Sequence, residues 1–411
     1  MAERTTVGPG RTERRARTGV GLVFGTNGLV YANILPRFPQ IKDDLGLSNA
    51  ELGLAVAAFP FGALLAGLTA GALIARYRSS RVASFGMAAI ALGVVLVGVA
   101  PSWGLFAAAM FLAGAADAVV DVAQNAHGLR VQRRYGRSIL NSFHALWSVG
   151  AVAGGLMGSA AAGASVPIPL HLGLSSLLSV LIAVAVYPLL LPGPEDTERA
   201  ADDAGDGAPD RPAARAPWAG LGLRTVLLLP AFGSIAISGT LVEDSGATWA
   251  ALYLQGLGSG AATAGFGFVA LQGCQFVGRL LGDRMVDRFG QRTIARIGGA
   301  LVLAGMGLAL AFPTVPGTVA GFGVAGFGVA TLVPAAMTAA DRLPGLAPGT
   351  GLTVVTWLMR VGFLASPPVV GLVADAAGLR AGLLVVPAAG LLVLLVAAVL
   401  PGRGRTAHRP S

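Results

Sequence analysis

Charge is scarce in this chain. Only 12% of its 411 residues are charged and 54% are hydrophobic, whereas a soluble chain carries about a quarter charged. That imbalance excludes an ordinary water-soluble globule. A single cysteine, Cys274, excludes an internal disulfide and any cysteine-rich metal site, and its place in an apolar run reads as a small, inert hydrophobe. Lysine is reduced to Lys42, with Arg carrying almost all positive charge. Together with the heavy use of Ala and Gly, this is a compositional bias without functional content. The chain has no Gly-x-x-x-x-Gly-Lys-[Ser/Thr] loop, and its polar segments are too short for a nucleotide-binding domain, so ATP is not its energy source. The first twenty residues are basic and have no apolar core of their own, which excludes a cleavable signal peptide and marks a cytoplasmic tail.

What the chain has in quantity is long apolar runs. Twelve can be placed, near 19–39, 52–75, 82–100, 103–127, 139–162 and 168–191, then 225–254, 262–283, 294–312, 317–340, 350–375 and 380–400. Most hold roughly 18 to 25 residues, the length with which a helix crosses a hydrocarbon core of about 30 Å. The predicted fold class is therefore an all-α membrane protein with twelve transmembrane helices in two pseudo-symmetric six-helix bundles. Its expected organisation is an N-terminal tail over 1–18, a first bundle over 19–192, a linker over 193–219, a second bundle over 220–401 and a C-terminal tail over 402–411. The linker carries Glu195, Asp196, Glu198, Asp202, Asp203, Asp206 and Asp210 among Ala, Gly and Pro, too little apolar surface to fold, and reads as a disordered cytoplasmic tether.

The net charge of +9 does not point to nucleic acid, because the basic residues sit in short loops and not on one face. They alternate with the spans. Arg4, Arg11, Arg14, Arg15 and Arg17 precede the first span; Arg76, Arg78 and Arg81 follow the second; Arg130, Arg133, Arg134 and Arg137 follow the fourth; Arg284, Arg288 and Arg292 follow the eighth; and Arg403, Arg405 and Arg409 end the chain. The opposite connections hold little more than Arg37, Lys42 and Arg380. By the positive-inside bias this is a multi-pass protein of the cytoplasmic membrane with both termini in the cytoplasm. Internal symmetry agrees: Phe24-Gly25-Thr26 and Phe232-Gly233-Ser234 share the offset of about two hundred residues that separates the Arg76 and Arg284 loops.

Polar groups inside the spans are the candidate functional residues, since they are costly there and normally face a polar cavity. Asp117, Asp121 and Asn125 recur every four residues and share one helical face. A carboxyl group in a span with a second one turn away is suited to loading and releasing a proton, and His144 is a further proton-handling group because imidazole titrates close to neutral pH. Structural roles are the alternative: Asp121 and Asn125 bonding helix ends or the adjacent Arg loop, and His144 as a satisfied core histidine. Asn27, Tyr31 and Asn33 on the first span, Asn141 and Trp147 on the fifth, Glu243 on the seventh, Gln272 and Gln275 on the eighth, and Trp357 and Arg360 on the eleventh complete a plausible binding cavity. Arg360 calls for an opposite charge, from Glu243, from Asp244 or from a bound anion. Trp249 reads as an interfacial anchor or a stacking surface. Two carboxylates and one His, without close His spacing, make a thin metal set, so neither a metal, a cofactor nor an enzyme activity is expected.

The loops carry a family resemblance. Gly278-Arg279-Leu280-Leu281-Gly282-Asp283-Arg284 followed by Asp287-Arg288-Phe289-Gly290-Gln291-Arg292 resembles the Gly-x-x-x-Asp-Arg-x-Gly-x-Arg loop of the major facilitator superfamily. The first copy, Gly71 to Arg81, has Ala75 in the acidic position and Arg78 in the glycine position. The resemblance implies the major facilitator fold and a gating role for Arg76, Arg81, Asp283, Arg284, Asp287, Arg288 and Arg292; the alternative is that these arginines only set orientation. Asp121 to Asn125, Phe143-His144-Ala145 and Glu243 to Tyr253 resemble the rhizopine-transport-type membrane protein branch, with a more distant similarity to fucose–proton symporters. In the latter an acid matching Asp121 is implicated in proton coupling, and a second matches Asn33, which cannot titrate.

The resulting expectation is a secondary active transporter that moves a small polar solute, sugar- or cyclitol-like, by alternating access. It is coupled to protons through Asp121, Asp117 and His144, and works as a monomer with the lipid bilayer, a small-molecule substrate and protons as its partners. The competing expectation is a proton-antiport exporter of drugs or metabolites, for which an aromatic content of 7% is low.

Overall fold

The computed structural model describes residues 10–193, 222–344, 346 and 349–402. The expected linker and most of both tails lie outside the described residues. Among the described residues every regular element is helical, as required where no water is present to satisfy backbone groups.

Twelve helical segments follow one another: α1 Arg11–Asp44, α2 Asn49–Tyr77, α3 Ser79–Val99, α4 Trp103–Tyr135, α5 Leu140–Gly163, α6 Ile168–Leu189, α7 Thr225–Gly256, α8 Phe266–Phe289, α9 Gln291–Ala311, α10 Val315–Asp341, α11 Thr350–Ala377 and α12 Leu379–Val399. Eleven are long and apolar enough to cross a membrane. The exception is α8, long enough at 24 residues but carrying Gln272, Gln275, Arg279, Asp283, Arg284, Asp287 and Arg288. Large apolar side chains such as Leu68, Leu181, Phe312 and Leu395 stand exposed on the helices, which is costly in water and favourable in lipid.

α1 starts at Arg11, well before the expected boundary at residue 19. Its basic first turns are helical because they find partners: Arg17 donates to the Tyr135 hydroxyl at 3.1 Å and lies over the same ring. Glycine permits close helix contact, as at Gly150 and Gly326. A Cβ on Gly150 would stand 1.8 Å from the Gly25 carbonyl oxygen, and one on Gly326 would stand 2.1 Å from that of Leu271, so α5 packs on α1 and α10 on α8 backbone to backbone.

Three helix junctions share one backbone conformation. Gly290 between α8 and α9 has φ 83° and ψ 152°, and Gly378 between α11 and α12 has φ 85° and ψ 156°. Arg78 between α2 and α3 has φ 73° and ψ 145°, although this region is essentially reserved for glycine. The two halves therefore repeat the same turn, and only the second half carries the residue that suits it.

The contacts divide the chain into two compact units. The first contains residues up to Ile34, Phe61–Gly154 and the segment from Pro167; the second contains Leu35–Pro60, Gly155–Val166 and the described residues from 222 onward. The first part of α2 and the end of α5 thus pack with the helices of the second half.

Candidate functional site

In the first unit a buried amide organises the polar residues. Asn27 on α1 donates from Nδ2 to Asp117 Oδ1 at 2.7 Å, while its Oδ1 accepts from Trp147 Nε1 on α5 at 2.8 Å and from Gln124 Nε2 on α4 at 3.5 Å. Gln124 Nε2 also donates to Asp121 Oδ1 at 3.1 Å. Asn125 Nδ2 donates to the same Asp121 oxygen at 3.0 Å and to the Asp121 carbonyl at 2.8 Å. The four-residue repeat on α4 thus places Asp117, Asp121 and Asn125 together as expected, and Asn27 and Trp147 join them from two other helices.

The chemistry of this cluster lies in its partners. Amide nitrogens donate to both carboxyl groups, that of Asn27 to Asp117 and those of Gln124 and Asn125 to Asp121. Asp121 is exposed and Asp117 half-buried. His144 is exposed on α5, edge-on to Phe24 with ring centroids 5.2 Å apart. Asn141 is exposed on the first turn of α5 and Tyr31 is half-buried on α1.

Asn33 stands apart from this cluster. It is fully buried, donates to the Leu29 carbonyl at 2.8 Å and pairs through Oδ1 with His171 Nε2 of α6 at 2.9 Å. Its oxygen ties α1 to α6, while its nitrogen bonds back within α1.

The second unit carries its own polar group. Glu243 Oε2 on α7 accepts from Gln275 Nε2 on α8 at 3.0 Å, and the Arg279 guanidinium lies 3.7 Å from the same oxygen. Arg279, one turn beyond Gln275, is therefore the cation beside Glu243, in place of Arg360. Gln272 is buried one turn before Gln275. Arg360 and Trp357 lie three residues apart on α11, and both are exposed, Trp357 at 47%. Trp249, expected near a membrane boundary, is 0% exposed, because α7 turns this face into the second unit.

Of the loop residues, Asp283, Arg284, Asp287 and Arg288 are exposed, with Arg288 over the Phe289 ring. Arg76 donates to the Tyr77 hydroxyl at 3.1 Å and Arg81 to that of Tyr187 at 3.4 Å. Arg292 Nε donates to the Leu400 carbonyl at 2.9 Å, closing the end of α12.

Three residues of the first unit carry contacts that the sequence reading did not assign to them. Gln124 has a detectable signal, since it continues the Asp117 and Asp121 face at seven residues from Asp117. His127 and Arg130 have none. Arg130 is 2% exposed and donates to the carbonyls of Pro192 at 2.8 Å, Gly193 at 3.1 Å and Leu191 at 3.5 Å. His127 Nε2 accepts from the Leu191 amide at 3.1 Å, which assigns the ring proton to Nδ1, 2.8 Å from Ser79 Oγ. An arginine counted as an orientation charge is in fact the cap on the chain leaving α6.

Comparison with known proteins follows the same lines. The Major Facilitator Superfamily model matches residues 20–286 and 244–411. An uncharacterized transporter of Sinorhizobium fredii, y4wD, is 29% identical over 384 residues, covering 93% of this chain and 97% of the relative. Membrane protein MosC of Rhizobium meliloti is 30% identical over 385 residues, covering 92% and 88% respectively. The crystal structure of the nucleoside transporter NupG superposes with a TM-score of 0.71 at 12% identity, covering 95% of this chain and 99% of that one, a likeness of fold.

Proposed function

The chain belongs to the major facilitator superfamily of transporters, and from that premise we propose that it is a proton-coupled secondary active carrier of a small polar solute, sugar- or cyclitol-like, working by alternating access. The observation that carries the proposal is the Asn27 network, in which Asp117 and Asp121 sit one turn apart on α4 among amide donors from α1 and α4. Two carboxyl groups one turn apart within a span, held by hydrogen bonds from neighbouring helices, are what a coupling site requires. Asp121, exposed, exchanges the proton; Asp117 and Asn27 link that event to α1; Trp147 reports it to α5.

In this reading the polar groups offered to a solute are His144, Asn141, Tyr31 and Asn125 in the first unit and, in the second unit taken by itself, Glu243, Gln272, Gln275, Trp357 and Arg360. The mixture of amides, aromatic rings and charged groups suits hydroxyl-rich molecules better than apolar cations. The Arg-rich connections support a reading in which the protein lies in the cytoplasmic membrane with both termini inside. One chain forms the full pathway.

The test is proteoliposomes containing a pH-sensitive dye, challenged with sugars, cyclitols, organic acids and cationic drugs. We expect a solute-dependent proton flux that Asp121→Asn abolishes while solute exchange persists. Undiminished gradient-driven accumulation in Asp121→Asn would overturn the proposal. The sign of the flux separates symport from drug or metabolite antiport.

A further inference from the structure

Two neighbouring acids on α7 are treated differently by the fold. Glu243 has an amide and a guanidinium beside it. Asp244 has neither. Its Oδ2 is buried and completes no hydrogen bond among the described residues. Facing this carboxyl group are the hydroxyls of Ser366 on α11 and of Thr248 one turn along α7. Ser366 is 4% exposed, yet its Oγ also completes no hydrogen bond, and the same holds for the buried Oγ of Ser245, next in sequence to Asp244. Asp244 Oδ2, Ser366 Oγ and Ser245 Oγ are thus buried oxygens short of the bonds that burial normally demands, with the Thr248 hydroxyl beside the carboxyl group.

The sequence of α11 adds more oxygen. Ser366 is followed by Pro367 and Pro368 inside the helix. Neither proline has an N–H, so the carbonyls of Phe363 and Leu364, four residues earlier, lose their helical donors. The turn that carries Ser366 therefore also carries two backbone oxygens without their usual partners.

We propose that Asp244, Ser366 and Thr248, with the freed carbonyls of Phe363 and Leu364, form a site for a hard monovalent metal cation of the sodium class. With the neighbouring Glu243 charge facing Arg279, the Asp244 carboxylate balances one further positive charge, and burial makes that balance decisive. Hydroxyl, carbonyl and carboxylate oxygens select hard cations over transition metals. A proton on Asp244 satisfies one acceptor and leaves the Ser366, Ser245 and carbonyl oxygens as they are, whereas a coordinated ion satisfies several together. The site lies wholly within the second unit and is built from residues other than the Asp117 and Asp121 cluster. It does not depend on proton coupling and is tested by binding alone.

The experiment is thermal unfolding of the purified full-length protein in detergent, titrated with sodium chloride against potassium chloride and N-methylglucamine chloride at constant ionic strength. A ligand that binds only the folded state raises the midpoint in a saturable way. The expected result is a sodium-selective rise, abolished in Asp244→Asn, with the half-saturating concentration raised about tenfold in Ser366→Ala. No sodium-selective rise in the unmodified protein overturns the proposal, as does a rise that survives in Asp244→Asn. Should Asp244→Asn not fold, Ser366→Ala decides, an unchanged half-saturating concentration counting against the site.

Discussion

Asp375, on the last turn of α11, accepts a hydrogen bond at 2.9 Å from the amide of Asn49, the first residue of α2, and its second oxygen accepts from the Ala50 amide at 2.8 Å. The start of α2 also has a local cap: the Ser48 amide donates to Glu51 Oε2 at 2.8 Å and the Glu51 amide to Ser48 Oγ at 3.1 Å. One helix end is thus held both by its own capping box and by a carboxylate far away in sequence. Beside it, a Cβ on Gly53 would stand 2.3 Å from the Pro367 carbonyl oxygen, and one on Gly371 would stand 2.4 Å from that of Asn49, so the two backbones touch.

This contact predicts a shift in conformational balance. Asp375→Ala removes the anionic cap at a cost of about 1–2 kcal/mol. In an alternating-access cycle α2 and α11 belong to opposite halves and must part once per turnover, so the population with the contact broken rises about 5- to 30-fold. Ala55, buried on α2, reports the change as Ala55→Cys in a Cys274→Ser background. Labelling by a membrane-impermeant maleimide is expected to be several-fold faster in Asp375→Ala, and equal rates would argue that the cap is structural only.

The turn before α3 predicts a gain of stability. Arg78 holds φ 73° where the matching turns hold Gly290 and Gly378, and an L side chain is strained there by about 1 kcal/mol or more. Arg78→Gly is expected to raise the unfolding midpoint in detergent, and Gly290→Ala to lower it. A lower midpoint for Arg78→Gly would mean that the Arg78 side chain contributes more than its backbone loses.

The cap on α6 predicts a strong Arg preference at residue 130. Three carbonyls converge on one guanidinium, a geometry that a planar fork meets and a single ammonium does not. Arg130→Lys keeps the charge, and with it any orientation signal, yet is expected to lose about 2 kcal/mol of stability. Insertion with unchanged topology but a lower unfolding midpoint is the expected pair of results; an unchanged midpoint would return Arg130 to the role of an orientation charge.

Much of the candidate site was legible because it is local. Asp117, Asp121 and Asn125 fall on one face of α4 through helical spacing alone, and Gln124 continues that face. The partners of these residues were not legible. Asn27 was picked out as a polar residue in a span, but nothing in its neighbourhood says that it bonds Asp117 and Trp147. Arg360 called for an opposite charge, and that Glu243 stands beside Arg279 instead depends on how α8 lies against α7. Trp249 reads as a boundary residue along one helix and is buried once a second helix covers it.

The amino-acid sequence by itself determined the all-helical membrane architecture, the run of spans and the placement of its arginines, since those follow from apolar length, the cost of charge in lipid and the period of a helix. Tertiary structure decided which polar groups meet. Asp375 at the start of α2, Arg130 on the chain leaving α6, and Asp244 facing Ser366 are contacts between residues far apart in the chain. Their pairing depends on helix rotation and proximity, which side-chain packing sets and no local pattern encodes.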